Sequence, residues 1–331
     1  MPMRLAMLGM QHSHAEGLVR QIAAHPEEFQ LIGGFDPVDD IAVDRTKRWG
    51  KQLDGFQRFV SPQAALAQQL DGVIVEGLVE ENLHWARLAL EAGFPVMLEK
   101  PAGTELAEFQ GLIELARREH LHVQMIYLFR YLTAVLEVLR LVSTGQLGQV
   151  YEFRARMPKE FRLYEDHREK YAKYQGGIFF EMAGHMIDMM VAMLGKPNRV
   201  VPFLAHHHAS DDAFIDNGLA VFEFPRAWGI VEVSTLESVE ASRRFEVFGT
   251  KGACAIPHLG SGHLANTQTQ ALDVQLEGDD NWRRIELPAA TLQLPDLREF
   301  AACVFAKKQP DYAGDHDLIV QEALLRSSGA L

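Results

Sequence analysis

Hydrophobic and polar positions follow two different rhythms along this chain. In the first third, short apolar runs alternate with segments of helical period. Arg4-Leu5-Ala6-Met7-Leu8 is an apolar run stopped by Gly9. Ala15 to His25 sets Leu18, Val19 and Ile22 on one helical face. Phe29 to Phe35 reads as a second strand, closed by Asp36-Pro37. Asp44 to Trp49 and Pro62 to Leu70 read as short helices. Gly72-Val73-Ile74-Val75 is continuously apolar, as a strand buried on both faces must be. Glu80 to Ala92 is a helix ended by Gly93 in the position after its C-cap, and Pro95-Val96-Met97-Leu98 is the next strand. A long helix from Thr104 to Glu119 and an apolar strand from His122 to Leu128 follow. This order predicts an α/β domain, a doubly wound parallel sheet with helices on both faces, over residues 1–126.

The pattern then changes. Leu132 to Ser143 is helical and leads into a turn at Gly145–Gly148. Strands of alternating polarity are predicted at Val150–Arg156, Leu219–Phe224, Trp228–Ser234 and Arg244–Phe248. One strongly apolar helix, Phe179 to Leu194, interrupts them, and two helices close the chain near Leu297–Lys307 and Asp317–Ser327. Pro257 to Gln270, rich in Gly, Ser, Thr and Asn, reads as a surface loop. Residues 127–331 are therefore expected to form an α+β domain built on a large, open, mostly antiparallel sheet.

Composition narrows the function classes. A chain of 331 residues suggests about two domains. With 47% hydrophobic and 23% charged residues it is ordinary globular material, neither disordered nor coiled coil. Its net charge of −13 disfavours nucleic acid as a partner. No apolar run approaches the roughly 20 residues of a bilayer span, and no signal-peptide pattern is present, so a cytoplasmic protein with no membrane partner is expected. The two cysteines, Cys254 and Cys303, are read as reduced, buried thiols.

Four constellations carry candidate chemistry. The first is the loop Gly9-Met10-Gln11-His12-Ser13-His14. A dinucleotide fingerprint has glycine at three positions here, and this chain keeps Gly9 but has Gln11 and His14 at the other two. Ser13 and the open end of the following helix remain able to hold an anion. His12 and His14 suit helix capping, a ligand contact or a metal. The second is Asp36, placed to accept from a ribose 2′-hydroxyl or to form an Asp-Pro turn; the former favours NAD over NADP. The third is Glu99-Lys100-Pro101 at the end of a parallel strand, where ligands bind in open α/β sheets and where a lysine serves as acid or base. The fourth is the apolar helix after Gly176-Gly177. Its Glu181, His185 and Asp188 share one face, as a buried polar network or an active site. A lysine, a carboxylate and a histidine converging suit removal of a hydroxyl proton. His206-His207-His208 alternates faces if extended, and is read as a solvated edge or loop.

At this point the sequence resembles the Gfo/Idh/MocA family of oxidoreductases over nearly its whole length. Glu91 through Pro101 resembles the family's A-G-x-x-V-x-x-E-K-P. Gly145 to Val150 is similar to its G-x-I-G-x-V turn, and Gly176-Gly177 with Glu181, His185 and Asp188 to its G-G-x-x-x-D-x-x-x-H-x-x-D. Phe248-Gly249-Thr250-Lys251-Gly252 matches its G-T-x-G turn. Phe300, Glu322-Ala323 and Ser327-Ser328-Gly329 resemble its C-terminal helices. The resemblance implies a Rossmann domain followed by a domain whose sheet mediates dimers or tetramers. It implies hydride transfer between NAD(P) and a carbinol of a sugar, polyol or inositol-like substrate. Lys100 and His185 become the catalytic pair. Glu181 stands where the family commonly has Asp, and Gly9, Gln11, His12, Ser13, Asp36, Glu99 and Pro101 line the cofactor. Asp188, Arg130 and Tyr164 are the candidate substrate contacts.

The departures cluster at the cofactor end. Counting back from Glu91-Ala92-Gly93 puts Gly77-Leu78 at the family's Thr-Pro and Asn82 at its His. Glu76 then brings a carboxylate near the pyrophosphate, which calls for an offsetting cation such as His12 or His14. Three functions are carried forward. One is an NAD-dependent dehydrogenase with no resident metal. Another keeps the pocket but holds NAD tightly, or uses a metal at His12, His14 and Glu76 for elimination or hydrolysis. The third is a ligand sensor without turnover.

Overall fold

In the computed structural model the apolar run at the start of the chain becomes strand β1 (Met3–Met10), buried at every position but Arg4. Residues 1–163, 165–238, 243–259 and 269–331 are described. They divide into one unit of Met1–Tyr127 with Thr291–Leu318, and a second of Leu128–Ala290 with Ile319–Leu331.

In the first unit β1 is followed by α1 (Ala15–Ala24), β2 (Phe29–Phe35), α2 (Asp39–Trp49), β3 (Gln57–Arg58), α3 (Pro62–Leu66) and β4 (Gly72–Glu76). Then come α4 (Val79–Glu91), β5 (Val96–Glu99), α5 (Leu106–Arg118) and β6 (Val123–Ile126). The six strands run in the order β3-β2-β1-β4-β5-β6, with every pairing parallel. This is the expected doubly wound sheet, and its strand order reverses between β1 and β4. Strands β4, β5 and β6 are buried throughout, because helices cover both faces. Helix α2 starts five residues earlier than its apolar pattern shows. Its first turn carries Asp39 and Asp40 and its last Lys47 and Arg48, so charges matched to the helix dipole, rather than an apolar face, define it.

The second unit opens with α6 (Thr133–Ser143), β7 (Val150–Glu160), α7 (Arg168–Ala172) and α8 (Ile178–Leu194). An antiparallel run follows: β8 (Arg199–Ala205), β9 (Asn217–Glu223), β10 (Trp228–Glu237), β11 (Arg244–Gly249), β12 (Gly252–Ile256), β13 (Thr269–Leu276) and β14 (Arg283–Pro288). The eight strands lie in the order β14-β13-β12-β11-β7-β10-β9-β8, antiparallel except for the central β7–β10 pair. Alternation sets the inner face: Gly218, Ala220 and Phe222 of β9 and Val231 and Val233 of β10 are buried. Helix α8 packs on β10, β7 and β9 and is buried from Ile178 to Val191. Its start requires Gly177, at φ +53°, since a Cβ there would lie 2.6 Å from the Ile215 carbonyl oxygen.

The chain then forms α9 (Leu294–Phe305) in the first unit and α10 (Gly314–Ser327), whose residues up to Leu318 belong to the first unit and the rest to the second. The return of Thr291–Leu318 makes the first unit discontinuous, whereas the periodic pattern places one division at residue 126. The reason is packing: the buried Phe300 ring lies over Gly72, and Gln124 Nε2 donates to the Asp296 carbonyl at 2.9 Å.

Cys254 and Cys303 are unpaired and buried, and burial pushes both thiols up to about 12. Among the described residues no helix is long and apolar enough to cross a membrane. Tyr164 and most of the expected Pro257–Gln270 loop lie outside the described residues.

Candidate cofactor crevice

At the end of β1, Gly9 turns the chain with φ +72°. A Cβ on it would lie 2.4 Å from the Gly77 Cα, so the loops leaving β1 and β4 meet backbone to backbone. The His12 amide donates to the Glu76 carbonyl at 2.9 Å and closes this contact. Gln11 and His14 occupy the other two fingerprint positions without opening the turn. His14 is the N-cap of α1, and its side chain makes no capping bond. Ser13 is exposed just ahead of the helix.

Asp36, at the end of β2, is buried and held by the backbone. Its Oδ2 accepts from the Met10 amide at 2.7 Å and its Oδ1 from the Val38 amide at 2.9 Å. Burial raises its pKa and these amides pull it back. The carboxylate therefore makes the turn expected of Asp-Pro. Each oxygen keeps a second lone pair for a hydroxyl donor.

Glu76 and Glu99 end the adjacent strands β4 and β5, and both are completely buried. His12 Nδ1 lies 3.5 Å from Glu76 Oε2 and 3.6 Å from Glu99 Oε1. His14 Nδ1 lies 3.1 Å from that same Glu99 oxygen, and Lys100 Nζ lies 4.0 Å from it. The two imidazoles meet edge to face at 4.4 Å. Burial, with the charge of Glu99, pushes Glu76 up to about 8. Burial also opposes ionisation of Glu99, but His14, His12 and Lys100 outweigh it and hold Glu99 below its ordinary range. Desolvation lowers His14. Pro101, buried after a cis Lys100–Pro101 peptide, completes the strand end. The structure thus gathers His12, His14, Glu76, Glu99 and Lys100, with His12 beside Glu76 and His14 beside Glu99.

Several buried polar atoms in this region have no hydrogen-bond partner among the described residues. They are Gln11 Nε2, both side-chain atoms of Asn82, both Glu76 carboxylate oxygens and Glu99 Oε2. A buried polar group left unsatisfied costs roughly 1–3 kcal/mol. Their concentration at the carboxyl ends of β1, β4 and β5, beside the point where strand order reverses, marks a place for a polar ligand.

In the second unit Glu181, His185 and Asp188 are all buried on α8. Asp188 is engaged by Arg130 at 2.7 Å from Nη2 and 3.0–3.1 Å from Nε, with both residues about 1% exposed. The structure thus pairs these two candidate substrate contacts with each other. The His185 ring lies 5.0 Å from that of Phe129. His206 sits in a loop, as expected, but it is anchored rather than solvated. Its two ring nitrogens lie 2.8 Å from the Phe214 and Ser210 carbonyl oxygens, which raise its pKa.

Two arrangements have no local sequence signal. Gln293, left-handed at φ +71°, sends its amide Nε2 to the His14 carbonyl at 2.8 Å from 279 residues away. Arg168 clamps Asp212 at 2.8 and 3.0 Å and reaches the buried Asp216 at 3.3 Å.

Comparison with known proteins agrees with this fold. Residues 135–255 match the family described as the GFO/IDH/MocA C-terminal domain. The uncharacterized oxidoreductase YhhX of Escherichia coli is 28% identical over 55% of this chain and 51% of that protein. The chain spans about half the length of the first curated relatives it matches. Myo-inositol 2-dehydrogenase of Thermotoga maritima is 23% identical over 71% of this chain and 72% of its own. The fold matches that of an Agrobacterium radiobacter oxidoreductase in complex with NAD+, L-tartaric acid and magnesium. That match has a TM-score of 0.81 and 14% identity, and covers 100% of this chain and 96% of the other. The chain is thus similar to the Gfo/Idh/MocA oxidoreductases in sequence over residues 135–255, and over its whole length it shares the fold of solved oxidoreductases.

Proposed function

We propose that the protein is an NAD(P)-dependent oxidoreductase acting on a carbinol of a sugar, polyol or inositol-like substrate. The observation that carries this reading is the set of unsatisfied polar atoms at the strand-order reversal of the first unit. Gln11 Nε2 and Asn82 Nδ2 are donors suited to a diphosphate, and the Asp36 carboxylate is an acceptor suited to a ribose hydroxyl. The residues present therefore fit a nicotinamide dinucleotide. Side-chain amides supply donors where the fingerprint glycines are missing. A relative that is a myo-inositol dehydrogenase and a fold neighbour holding NAD+ support the substrate and cofactor classes.

When bound, that cofactor supplies the hydride acceptor or donor. This chain's residues handle the proton. Lys100 is buried, 2% exposed, at a strand end where its ammonium is stabilised by Glu99. Lys100 and His185 are the groups we assign to proton transfer at the substrate hydroxyl, with Glu181 beside His185 on α8. Residues of the second unit's sheet, including Tyr151 and Trp228, expose aromatic surface and are our proposed route to homo-oligomers.

The test is calorimetric titration of the full chain with NADH and NADPH, followed by a polyol and sugar screen. Tighter binding of NADH, reduced by Asp36→Ala, is expected. Lys100→Met and His185→Ala should each lower kcat by roughly 10²–10⁴-fold while NADH still binds. Absence of binding by either dinucleotide would overturn the reading.

A further inference from the structure

The cofactor reading uses Asp36, Gln11 and Asn82 and leaves the adjoining His12, His14 and Glu99 cluster unexplained. From its geometry we propose that these three residues form a binding site for one first-row divalent cation of zinc type. One oxygen of the Glu99 carboxylate and one nitrogen of each imidazole define it. His14 Nδ1 and His12 Nδ1 lie 3.1 and 3.6 Å from the same Glu99 Oε1, and the three ligand atoms fall within 4.8 Å of one another. Bonds of about 2.0–2.1 Å to a tetrahedral centre place ligand atoms roughly 3.3 Å apart, so these separations need little adjustment.

Glu76 is the second, independent observation. It is fully buried, both its oxygens lack a hydrogen-bond partner among the described residues, and Oε2 lies 3.5 Å from His12 Nδ1. Two fully buried carboxylates at adjacent strand ends can both ionise only with a positive charge beside them beyond that of Lys100. A divalent cation supplies it. Two imidazoles and a carboxylate are also the donor set of borderline-soft metals rather than of calcium or magnesium, which prefer oxygen alone. Three protein ligands leave a fourth position for water or an oxygen of another ligand. Lys100 Nζ, 4.0 Å from Glu99 Oε1, competes for that oxygen and limits the affinity.

The experiment is titration of the chelator-treated full chain with Zn²⁺ at neutral pH, with metal content measured after dialysis. In parallel, Co²⁺ is added and its visible spectrum recorded. One equivalent of Zn²⁺ is expected, with the intense visible bands of tetrahedral Co²⁺. The double variant His12→Ala, His14→Ala should weaken Zn²⁺ by about 100-fold or more, and Glu76→Gln by roughly 10-fold. Zinc retained at full affinity by the double variant, or no equivalent bound by the wild type, would overturn the assignment. If the double variant fails to fold by circular dichroism, the wild-type Co²⁺ spectrum decides: an unchanged octahedral spectrum overturns the site. NADH binding without zinc binding leaves the oxidoreductase reading intact, and zinc binding without NADH binding leaves the metal site intact.

Discussion

At the scale of single residues, the chain's energetics turn on charges taken out of water. Arg130 and Asp188 are each about 1% exposed and joined by three contacts of 2.7–3.1 Å. Removing one member strips the other of these contacts while it stays buried. Arg130→Met should therefore lower unfolding free energy by about 3–5 kcal/mol in urea denaturation. The double substitution Arg130→Met, Asp188→Leu should recover much of that loss, because an apolar pair leaves no stranded charge. Recovery would separate a structural pair from a substrate contact, since a substrate contact would lose activity in every variant. The pairing was not legible beforehand. Arg130 and Asp188 are 58 positions apart, and each alone looks like a polar group facing a ligand. Glu76 was legible in part. Its place after β4 showed a carboxylate near the expected phosphates; of the two histidines named as its offset, His12 lies 3.5 Å from it and His14 turns to Glu99 instead.

At the scale of elements, the strands and helices of the first unit follow directly from uninterrupted apolar runs broken by Gly and Pro. Strands covered on both faces need nothing else. Strands β8 and β12 to β14 escaped notice for the opposite reason. Strands β8 and β14 bury no residue, so burial scarcely marks their sequence, and β12 and β13 bury only Cys254, Ile256, Leu272 and Val274. The connection between β8 and β9 is held by charge instead. Arg168, in α7, keeps Asp212 far below the ordinary carboxylate range through its paired hydrogen bonds. A depressed carboxylate stabilises the fold above its unfolded pKa, and that contribution disappears as pH falls through the folded value. Arg168→Met should accordingly destabilise the protein by roughly 1 kcal/mol near pH 7 and by clearly less below pH 3. Thermal melts of both proteins between pH 2 and 7 would show their difference shrinking on the acid side; a constant difference would contradict the assignment.

At the scale of the whole molecule, the chain is two units, each written in two pieces. Composition and the change in periodicity identified both folds, but nothing in the local pattern of Leu294–Phe305 says which unit it joins. That membership is decided by a long-range fit, the Phe300 ring over Gly72, and such complementarity has no signature along a single chain. The division has a consequence for synthesis. A ribosome releases Met1–Tyr127 well before it reaches Thr291–Leu318, so the nascent parallel sheet waits through about 190 further residues, roughly 10–40 s, without α9 over Gly72. Stalled chains ending before residue 290 should therefore be cut by protease within the first unit much faster than chains that include α9. Equal resistance would show that the sheet closes without it. Until that last stretch emerges, the part of the first unit most open to chaperones and to misassembly is the sheet face around Gly72.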